Sequence, residues 1–251
     1  MNIYAIGDLH LPGSRDKSMD VFGERWRDHA RRVAEDWDAR VKERDWVLLP
    51  GDLSWAMRLD EAREDLRWIG ARPGRKALMR GNHDYWWQSL RKVREALAPG
   101  CEALQNDTLS LGGGAVVAGS RMWAPPGLSF AGAMELPAGS AEAGGDREAN
   151  AEADAKIFRR ELGRLEMSLK ALPAGSRLRI AMLHFPPLDL RFEASEVTAL
   201  LERYGVTECV FAHLHNVKPE ARFEGVLNGV HYQLVSSDYL GFRLAVVAEG
   251  L

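Results

Sequence analysis

The chain has 251 residues, of which 46% are hydrophobic and 27% are charged, a composition that is ordinary for a soluble globular protein. Its formal net charge of −3 gives no bulk positive field, so non-specific binding of nucleic acid is not favoured. No apolar run approaches the ~20 residues that span a bilayer, and the short segment before Gly7-Asp8 leads us to expect no secretory signal. With two cysteines and no disulfide framework, we expect a cytoplasmic protein with one domain over residues 1–251.

The first predicted strand, residues 2–6, ends at Gly7-Asp8-Leu9-His10. Residues two apart in an extended segment point the same way, so Asp8 and His10 form a natural pair of metal ligands. A turn aspartate beside a surface histidine would give the same pattern. The next segment, residues 19–43, is predicted to be a long amphipathic helix, in which His29 is interpreted as a packing or surface residue.

The second predicted strand, residues 45–50, ends at Gly51-Asp52. Two strand–Gly–Asp junctions one β-α-β unit apart predict adjacent parallel strands that bring two carboxylates to one edge of a sheet. A helix over residues 59–69 follows, and a third apolar run leads to Gly81-Asn82-His83-Asp84. Asn82 offers a neutral amide oxygen at the strand end, and His83 offers a proton that can move near neutral pH.

The middle of the chain contains a predicted helix over residues 86–97 and a β-hairpin whose strands, 108–111 and 115–118, flank three glycines. Residues 121–150 have paired prolines, repeated Gly and Ala, and little periodicity. We interpret them as a long loop or insertion, for which a lid, a binding loop and a disordered segment without function all remain open. A helix over residues 151–172 follows, and its apolar stripe indicates core packing.

Three more histidines follow the last predicted parallel strands. The strand over residues 178–183 ends at His184, and the two prolines that follow it fix the loop. After a helix over residues 193–204, the strand over residues 208–212 ends at His213-Leu214-His215, whose two imidazoles share a face. Two short strands, 232–235 and 243–247, finish the chain, and His231 is interpreted as structural.

The strand-end residues form one set of oxygen and nitrogen donors: Asp8, His10, Asp52, Asn82, His83, His184, His213 and His215. Five of the seven histidines belong to this set. Histidines scattered over the surface would not be expected to lie so consistently at the ends of apolar runs. Carboxylate, imidazole and amide donors without cysteine suit divalent manganese or iron, with zinc as an alternative. Without His83 the set has seven ligands, too many for one tetrahedral zinc ion but suited to two ions that share a bridging carboxylate.

In their order along residues 7–215, these motifs resemble those of the calcineurin-like metallophosphoesterases. The resemblance implies a four-layer α/β/β/α sandwich of two mixed sheets flanked by helices, and a phosphate-ester substrate. It implies one metal ion on Asp8, His10 and His215, and another on Asn82, His184 and His213. It also implies that Asp52 bridges the two ions and that His83 acts beside them.

The chemistry of such a site follows from the two ions. They can hold phosphate oxygens and lower the pKa of a bound water, which gives a hydroxide nucleophile. His83 would then protonate the leaving oxygen as a general acid. Asp84 follows His83 directly, so we expect it to orient the imidazole.

Two departures from the family pattern affect the interpretation. Ala212 stands where the family's last motif usually begins with glycine, and we expect the strand end to accommodate it. Residues 53–58 replace the Asp-Arg-Gly run of the family's protein phosphatases. This difference weakens the protein-phosphatase interpretation, and it leaves Arg58, Arg80 and Arg121 as open candidates for a phosphate contact.

We therefore favour a phosphodiesterase. The alternatives are a phosphomonoesterase acting on a small molecule or protein, a nuclease, and a catalytically inactive scaffold, although the complete ligand set disfavours a scaffold. Substrate specificity is expected to depend on Trp55, Trp86, Trp87 and the 121–150 loop, where the aromatic residues could stack on a base or could equally belong to the core. Nothing in the sequence indicates a membrane partner or a particular oligomeric state, and a nucleic-acid partner is possible but not indicated.

Overall fold

Two mixed β-sheets pack face to face in the computed structural model, which describes residues 1–13, 19, 23–135 and 147–251. The strands are, in chain order, β1 (Ile3–Ala5), β2 (Trp46–Leu49), β3 (Arg75–Leu78), β4 (Cys101–Ala103), β5 (Thr108–Gly112), β6 (Ala115–Ser120), β7 (Leu178–Leu183), β8 (Glu208–Phe211), β9 (Glu224–Leu227), β10 (Val230–Leu234) and β11 (Ala245–Ala248). The helices are α1 (His29–Arg40), α2 (Leu59–Gly70), α3 (Leu90–Ala96), α4 (Arg147–Lys170) and α5 (Glu196–Arg203).

Each sheet has a parallel centre, and the first sheet has one antiparallel edge whereas the second has two. The first sheet has the order β11-β1-β2-β3-β4, with β1 to β4 parallel and β11 antiparallel to β1. The second has the order β5-β6-β7-β8-β10-β9, with β5 and β9 as the antiparallel edges. The predicted architecture of two mixed sheets flanked by helices is therefore confirmed.

Three apolar layers hold the sandwich together. On β1 and the residue that follows it, Ile3 and Ala5 face the second sheet, whereas Tyr4 and Ile6 face the helices α1 to α3. This alternation follows from the two-residue period of a strand. The third layer lies between the second sheet and helices α4 and α5. Because both faces of the central strands are buried, these strands have continuous apolar sequences without polar alternation.

Several helix boundaries differ from the sequence prediction. The helix predicted over residues 19–43 begins only at His29, because Asp28 has a left-handed backbone (φ 53°) that cannot continue a helix. Its predicted residues 20–22 lie outside the described part. The helix predicted from residue 86 begins at Leu90, where Ser89 caps it, and the one predicted from residue 193 begins at Glu196, where Ser195 caps it.

The loop predicted over residues 121–150 can be compared only in part, since residues 136–146 lie outside the described residues. Its last four residues belong to α4, which begins at Arg147 rather than at residue 151. Strands β4 and β9 were not predicted; both are short and lie at the edge of a sheet. Within the described ranges, no helix is long and apolar enough to cross a membrane.

Candidate active site

The carboxyl ends of five parallel strands meet at one edge of the sandwich. Main-chain hydrogen bonds tie the loop after β1 to the loop after β2, from the Asp8 amide to the Gly51 carbonyl (3.0 Å) and from the His10 amide to the Asp52 carbonyl (2.9 Å). In the second sheet, the Ala212 amide donates to the His184 carbonyl (3.1 Å). The ligands predicted from separate motifs are thereby brought together.

Gly7, after β1, lies directly against Ala212, after β8. A Cβ atom on Gly7 would lie 2.6 Å from the Cβ of Ala212, so the missing side chain of Gly7 makes room for the alanine. The departure from the usual glycine at position 212 is therefore accommodated, as expected, by a glycine on the facing strand.

Several of the predicted ligands have an unusual backbone conformation. Asp8, Asp52 and His213 have φ values of 55°, 52° and 77°, in a left-handed region that non-glycine residues rarely adopt. His10 also lies there, with φ 43°. Such strain persists only where surrounding contacts enforce it, and it is concentrated at functional sites.

The first group of donors consists of Asp8, His10 and His215, whose ligand atoms all lie within 4.8 Å of one another. The Nε2 atoms of His10 and His215 are 3.1 Å apart. Nδ1 of His215 lies 2.9 Å from Oδ1 of Asp238, so the hydrogen bond to Asp238 turns the other ring nitrogen toward the site. Oδ1 of Asp8 is buried and has no hydrogen-bond partner among the described residues, as expected for an atom that binds a cation.

The second group of donors is centred on Asn82. Its Oδ1 lies 2.6 Å from Nε2 of His184 and 2.9 Å from Nδ1 of His213. Nδ1 of His184 lies 2.9 Å from the carbonyl oxygen of Pro50, so it donates there and leaves Nε2 facing the site. These separations suit donors that bind one ion at the ~2.0–2.2 Å typical of nitrogen and oxygen ligands.

Asp52 lies between the two groups. Its Oδ2 is 3.8 Å from Nε2 of His10 and 3.5 Å from Nε2 of His184. Its Oδ1 accepts a hydrogen bond from the main-chain N–H of His83 (2.8 Å). A side chain on Gly81 would collide with this carboxylate, so the glycine of the third motif is required for the close approach.

The buried charges of the site are poorly balanced without cations. Burial raises the pKa of Asp8 to about 6, and burial with the nearby charges of Asp84 and Asp8 raises the pKa of Asp52 well above its usual range. Burial lowers the pKa of His10 well below its usual range. Burial also disfavours the charged form of His215, but the carboxylates of Asp8 and Asp238 outweigh it and raise its pKa to about 9.

In the metal-free protein, protonated His215 can therefore donate a hydrogen bond from Nε2 to Nε2 of neutral His10. A divalent cation would replace this proton and stabilise the buried carboxylates. The donor types and their spacing fit divalent metal ions.

Asp84 organises the loops that carry the ligands. Its Oδ2 accepts from the main-chain N–H groups of Gly81 (2.8 Å) and Asp52 (2.9 Å). Its Oδ1 accepts from those of Leu53 (2.9 Å) and Ser54 (3.2 Å), and from Nε1 of Trp86 (3.0 Å). The carboxylate is fully buried and joins the loop after β2 to the loop after β3.

An aromatic cleft of about 280 Å³ adjoins the first donor group. Trp55 stacks on the His10 ring with a centroid separation of 4.6 Å and lies 4.8 Å from the His83 ring. Trp26, which is 1% exposed, packs edge-on against His215 at 5.5 Å and forms another wall. His83 itself lines the cleft, and its ring centroid lies 5.8 Å from that of His10.

Two predicted pocket residues lie elsewhere. Trp86 and Trp87 are each 1% exposed in the apolar layer below the helices, so the prediction that they line the pocket is wrong. Both indoles are wide enough to fill this layer, and their N–H groups are bonded to Asp84 and Gln105. The Arg58 side chain, 73% exposed, pairs with Asp60 at 3.3 Å.

Sequence reasoning missed Trp26 and Asp238. Asp238 follows β10 in the segment Ser236-Ser237-Asp238, so a strand followed by an aspartate was the signal that could have revealed it. Trp26 was assigned to a continuous helix, where its apolar character indicated only packing.

The family model of the calcineurin-like phosphoesterases matches residues 1–217 of this chain. The Gene 66 proteins of Mycobacterium phages L5 and D29 are 34% and 36% identical over 83 and 84 residues, and each match covers 33% of this chain and 40% of the phage protein. Among solved structures, TT1561 of Thermus thermophilus is similar with a TM-score of 0.53 at 13% identity, covering 97% of this chain and 96% of that one. A protein of unknown function from Aquifex aeolicus, AQ665, gives a TM-score of 0.49 at 14% identity, with 98% and 95% covered. The likeness to TT1561 concerns the fold alone.

Proposed function

Since the chain belongs to the calcineurin-like phosphoesterase family, we propose that it is a phosphoesterase dependent on two divalent metal ions, and that a phosphodiester is its preferred substrate. The main support for the proposal is the position of Asp52, because its Oδ2 lies within 3.8 Å of a histidine Nε2 in each donor group. A monodentate ligand in that position suits a pair of ions rather than one.

In this proposal Asp8, His10 and His215 hold one ion, and Asn82, His184 and His213 hold the other. The donors favour manganese or iron, with zinc as an alternative. When bound, the ions activate water and neutralise charge on the phosphate. The chain's own residues then orient the substrate, exclude water and move the leaving-group proton.

His83 is proposed as the general acid. Its main-chain N–H is fixed by Asp52 at 2.8 Å, which ties the residue to the carboxylate between the two donor groups. Its ring lines the aromatic cleft, where the organic part of the leaving group would lie between Trp55 and Trp26. Proton donation to the leaving oxygen is worth typically ~10²–10⁴-fold in rate.

Asp84 is proposed as a positioning residue. Its five hydrogen bonds hold the loops of Asp52 and Asn82 at a fixed separation. It would thus act on the geometry of the metal pair, rather than on the orientation of His83 as its place in the sequence suggests.

A phosphodiester is favoured over a phosphomonoester because residues 53–58 lack the run typical of protein phosphatases. A catalytically inactive scaffold would be expected to have lost ligands, but each predicted ligand lies within the two donor groups or between them.

Hydrolysis of paired chromogenic substrates tests the proposal. The protein is stripped with a chelator, reloaded with Mn²⁺, and assayed with p-nitrophenyl phosphate and bis(p-nitrophenyl) phosphate. We expect activity only after reloading, with the diester preferred. Preference for the monoester would refute the diesterase assignment, and no activity with Mn²⁺, Fe²⁺ or Zn²⁺ would refute the phosphoesterase proposal.

A further inference from the structure

A second cavity, of about 350 Å³, lies beside the carboxyl ends of β3 and β6 and is lined by arginines. Arg80 follows β3, Arg121 follows β6, and Arg160 and Arg164 come from α4. We call it the arginine cavity. Its charged lining residues share one carboxylate, Glu161.

The charges in the arginine cavity do not cancel. Glu161 is 2% exposed, and its Oε1 lies 2.7 Å from Arg164, 3.3 Å from Arg160 and 3.6 Å from Arg121. Four guanidinium groups therefore face one carboxylate, which leaves three positive charges in excess among the described lining residues. Positive charge concentrated within a concave wall attracts anions strongly.

Arg80 has a donor that the described residues leave unsatisfied. Its Nε is buried and has no hydrogen-bond partner in the part of the chain that the structure describes. A buried donor without a partner is costly, and an anion in the cavity would remove that cost. The neutral side chains of Ser120, Gln105 and Asn106 add further polar groups to the wall.

The arginine cavity adjoins the candidate active site through the backbone. Arg80 lies two residues before Asn82, and the Arg121 carbonyl accepts a hydrogen bond from the Phe185 amide (3.0 Å), directly after His184. Two arginines of the cavity thus lie next to the second donor group along the backbone. The aromatic cleft adjoins the first donor group, with His10 and His215 in its wall.

We propose that the arginine cavity binds a second anionic group of the substrate, a phosphate that is separate from the ester being hydrolysed. This inference rests on the proposed phosphoesterase function and specifies its substrate class as compounds with two phosphate groups. Guanidinium groups match phosphate well because their planar N–H donors can bind two oxygens at once.

Calorimetric titration with phosphonates tests the inference independently of hydrolysis. The probes are methylphosphonate, with one anionic group, and bisphosphonates with one to four methylene groups between the phosphorus atoms. They are titrated into the Mn²⁺-loaded protein and into the variant with both Arg160→Gln and Arg164→Gln. Arg159→Gln, on the same helix, is the matched control because it lines a different groove.

We expect at least one bisphosphonate to bind more tightly than methylphosphonate. The double variant should weaken that bisphosphonate by about 10- to 100-fold, since hydrogen bonds to charged groups are lost. The affinity for methylphosphonate should change less than about threefold, which corresponds to a free-energy difference of about RT. Thermal unfolding confirms that each variant is folded, and Arg121→Gln provides a second test from the other wall.

Three results would overturn the inference. Equal affinities in the wild type and the double variant would remove the arginines from anion binding. Equal losses for both probe classes would indicate a general electrostatic effect. Arginine-dependent binding of methylphosphonate that persists after chelation would indicate a site for free phosphate instead. Failure of the phosphoesterase proposal would give a different result. In that case the wild type would not hydrolyse bis(p-nitrophenyl) phosphate in a metal-dependent manner.

Discussion

Replacing Asp84 by asparagine should destabilise the metal-free protein and weaken metal binding at the same time. The side chain keeps its size, but one acceptor oxygen becomes an NH₂ donor. If the remaining oxygen stays with the donors of Leu53, Ser54 and Trp86, the new NH₂ faces the N–H groups of Gly81 and Asp52.

The expected loss follows from these two buried donors. Each unsatisfied donor costs about 1–3 kcal/mol, which gives about 2–6 kcal/mol for the pair. Removal of the negative charge also relieves repulsion with Asp52, whose pKa is raised by burial and then by Asp84. We therefore expect the lower half of that range, about 2–4 kcal/mol, which a domain stable by ~5–15 kcal/mol survives.

Urea unfolding of the chelator-stripped variant measures this loss, and Asp60→Asn is the matched control. Asp60 is exposed and pairs with Arg58, so its replacement should cost less than about 0.5 kcal/mol. If Asp84→Asn were equally mild, the carboxylate would not hold the two loops together. A variant with full stability and full metal content but low turnover would instead support the original expectation that Asp84 orients His83.

Three further predictions concern the general acid His83, the protons released on metal binding, and the contact between Gly7 and Ala212. His83→Asn should keep its metal ions but lose about 10²–10⁴-fold in turnover on substrates with poor leaving groups, and an unchanged rate on these substrates would rule out the acid role. At pH 7, Mn²⁺ binding should release at least one proton, because the pKa of His215 is about 9 in the metal-free protein, whereas Asp8, with a pKa of about 6, is mostly ionised. The pKa of Asp52 is also raised well above its usual range, so its protonated fraction adds to the protons released. The affinity for Mn²⁺ should therefore rise with pH up to about 9. Calorimetry in buffers of different ionisation enthalpy measures the number of protons released, and a value of zero would contradict this prediction. Gly7→Ala should cost about 1–3 kcal/mol by overpacking, and Ala212→Gly in the same chain should recover part of it, whereas no recovery would locate the clash elsewhere.

The parallel strands and the strand-end donors could be predicted because both depend on local patterns. Short apolar runs that end in Gly-Asp or in histidine pairs mark strand ends, and strand ends of one sheet meet at one edge. The structure brings Asp8 and Asp52 of the first sheet together as this rule requires, and the packing of the second sheet against the first adds His184. The family resemblance then assigned the ligands to two ions, which the local pattern alone left open.

The remaining features depend on contacts between distant segments. The sequence does not reveal that Trp86 and Trp87 fill the core while Trp26 reaches the site, because all three are apolar residues near predicted helix starts. The start of α1 was missed because a single left-handed residue, Asp28, interrupts an otherwise helical pattern. The hydrogen bond of Asp238 to His215 joins residues 23 positions apart, so the pairing itself has no local signature.

The number of Mn²⁺ ions bound per chain tests the central claim most directly. The wild type and Asp52→Asn are stripped, reloaded with Mn²⁺, desalted and measured by elemental analysis against protein concentration. A bridging Asp52 predicts two ions in the wild type and fewer in the variant. One ion or none in the wild type, or two retained in Asp52→Asn, would contradict a metal pair joined by this carboxylate.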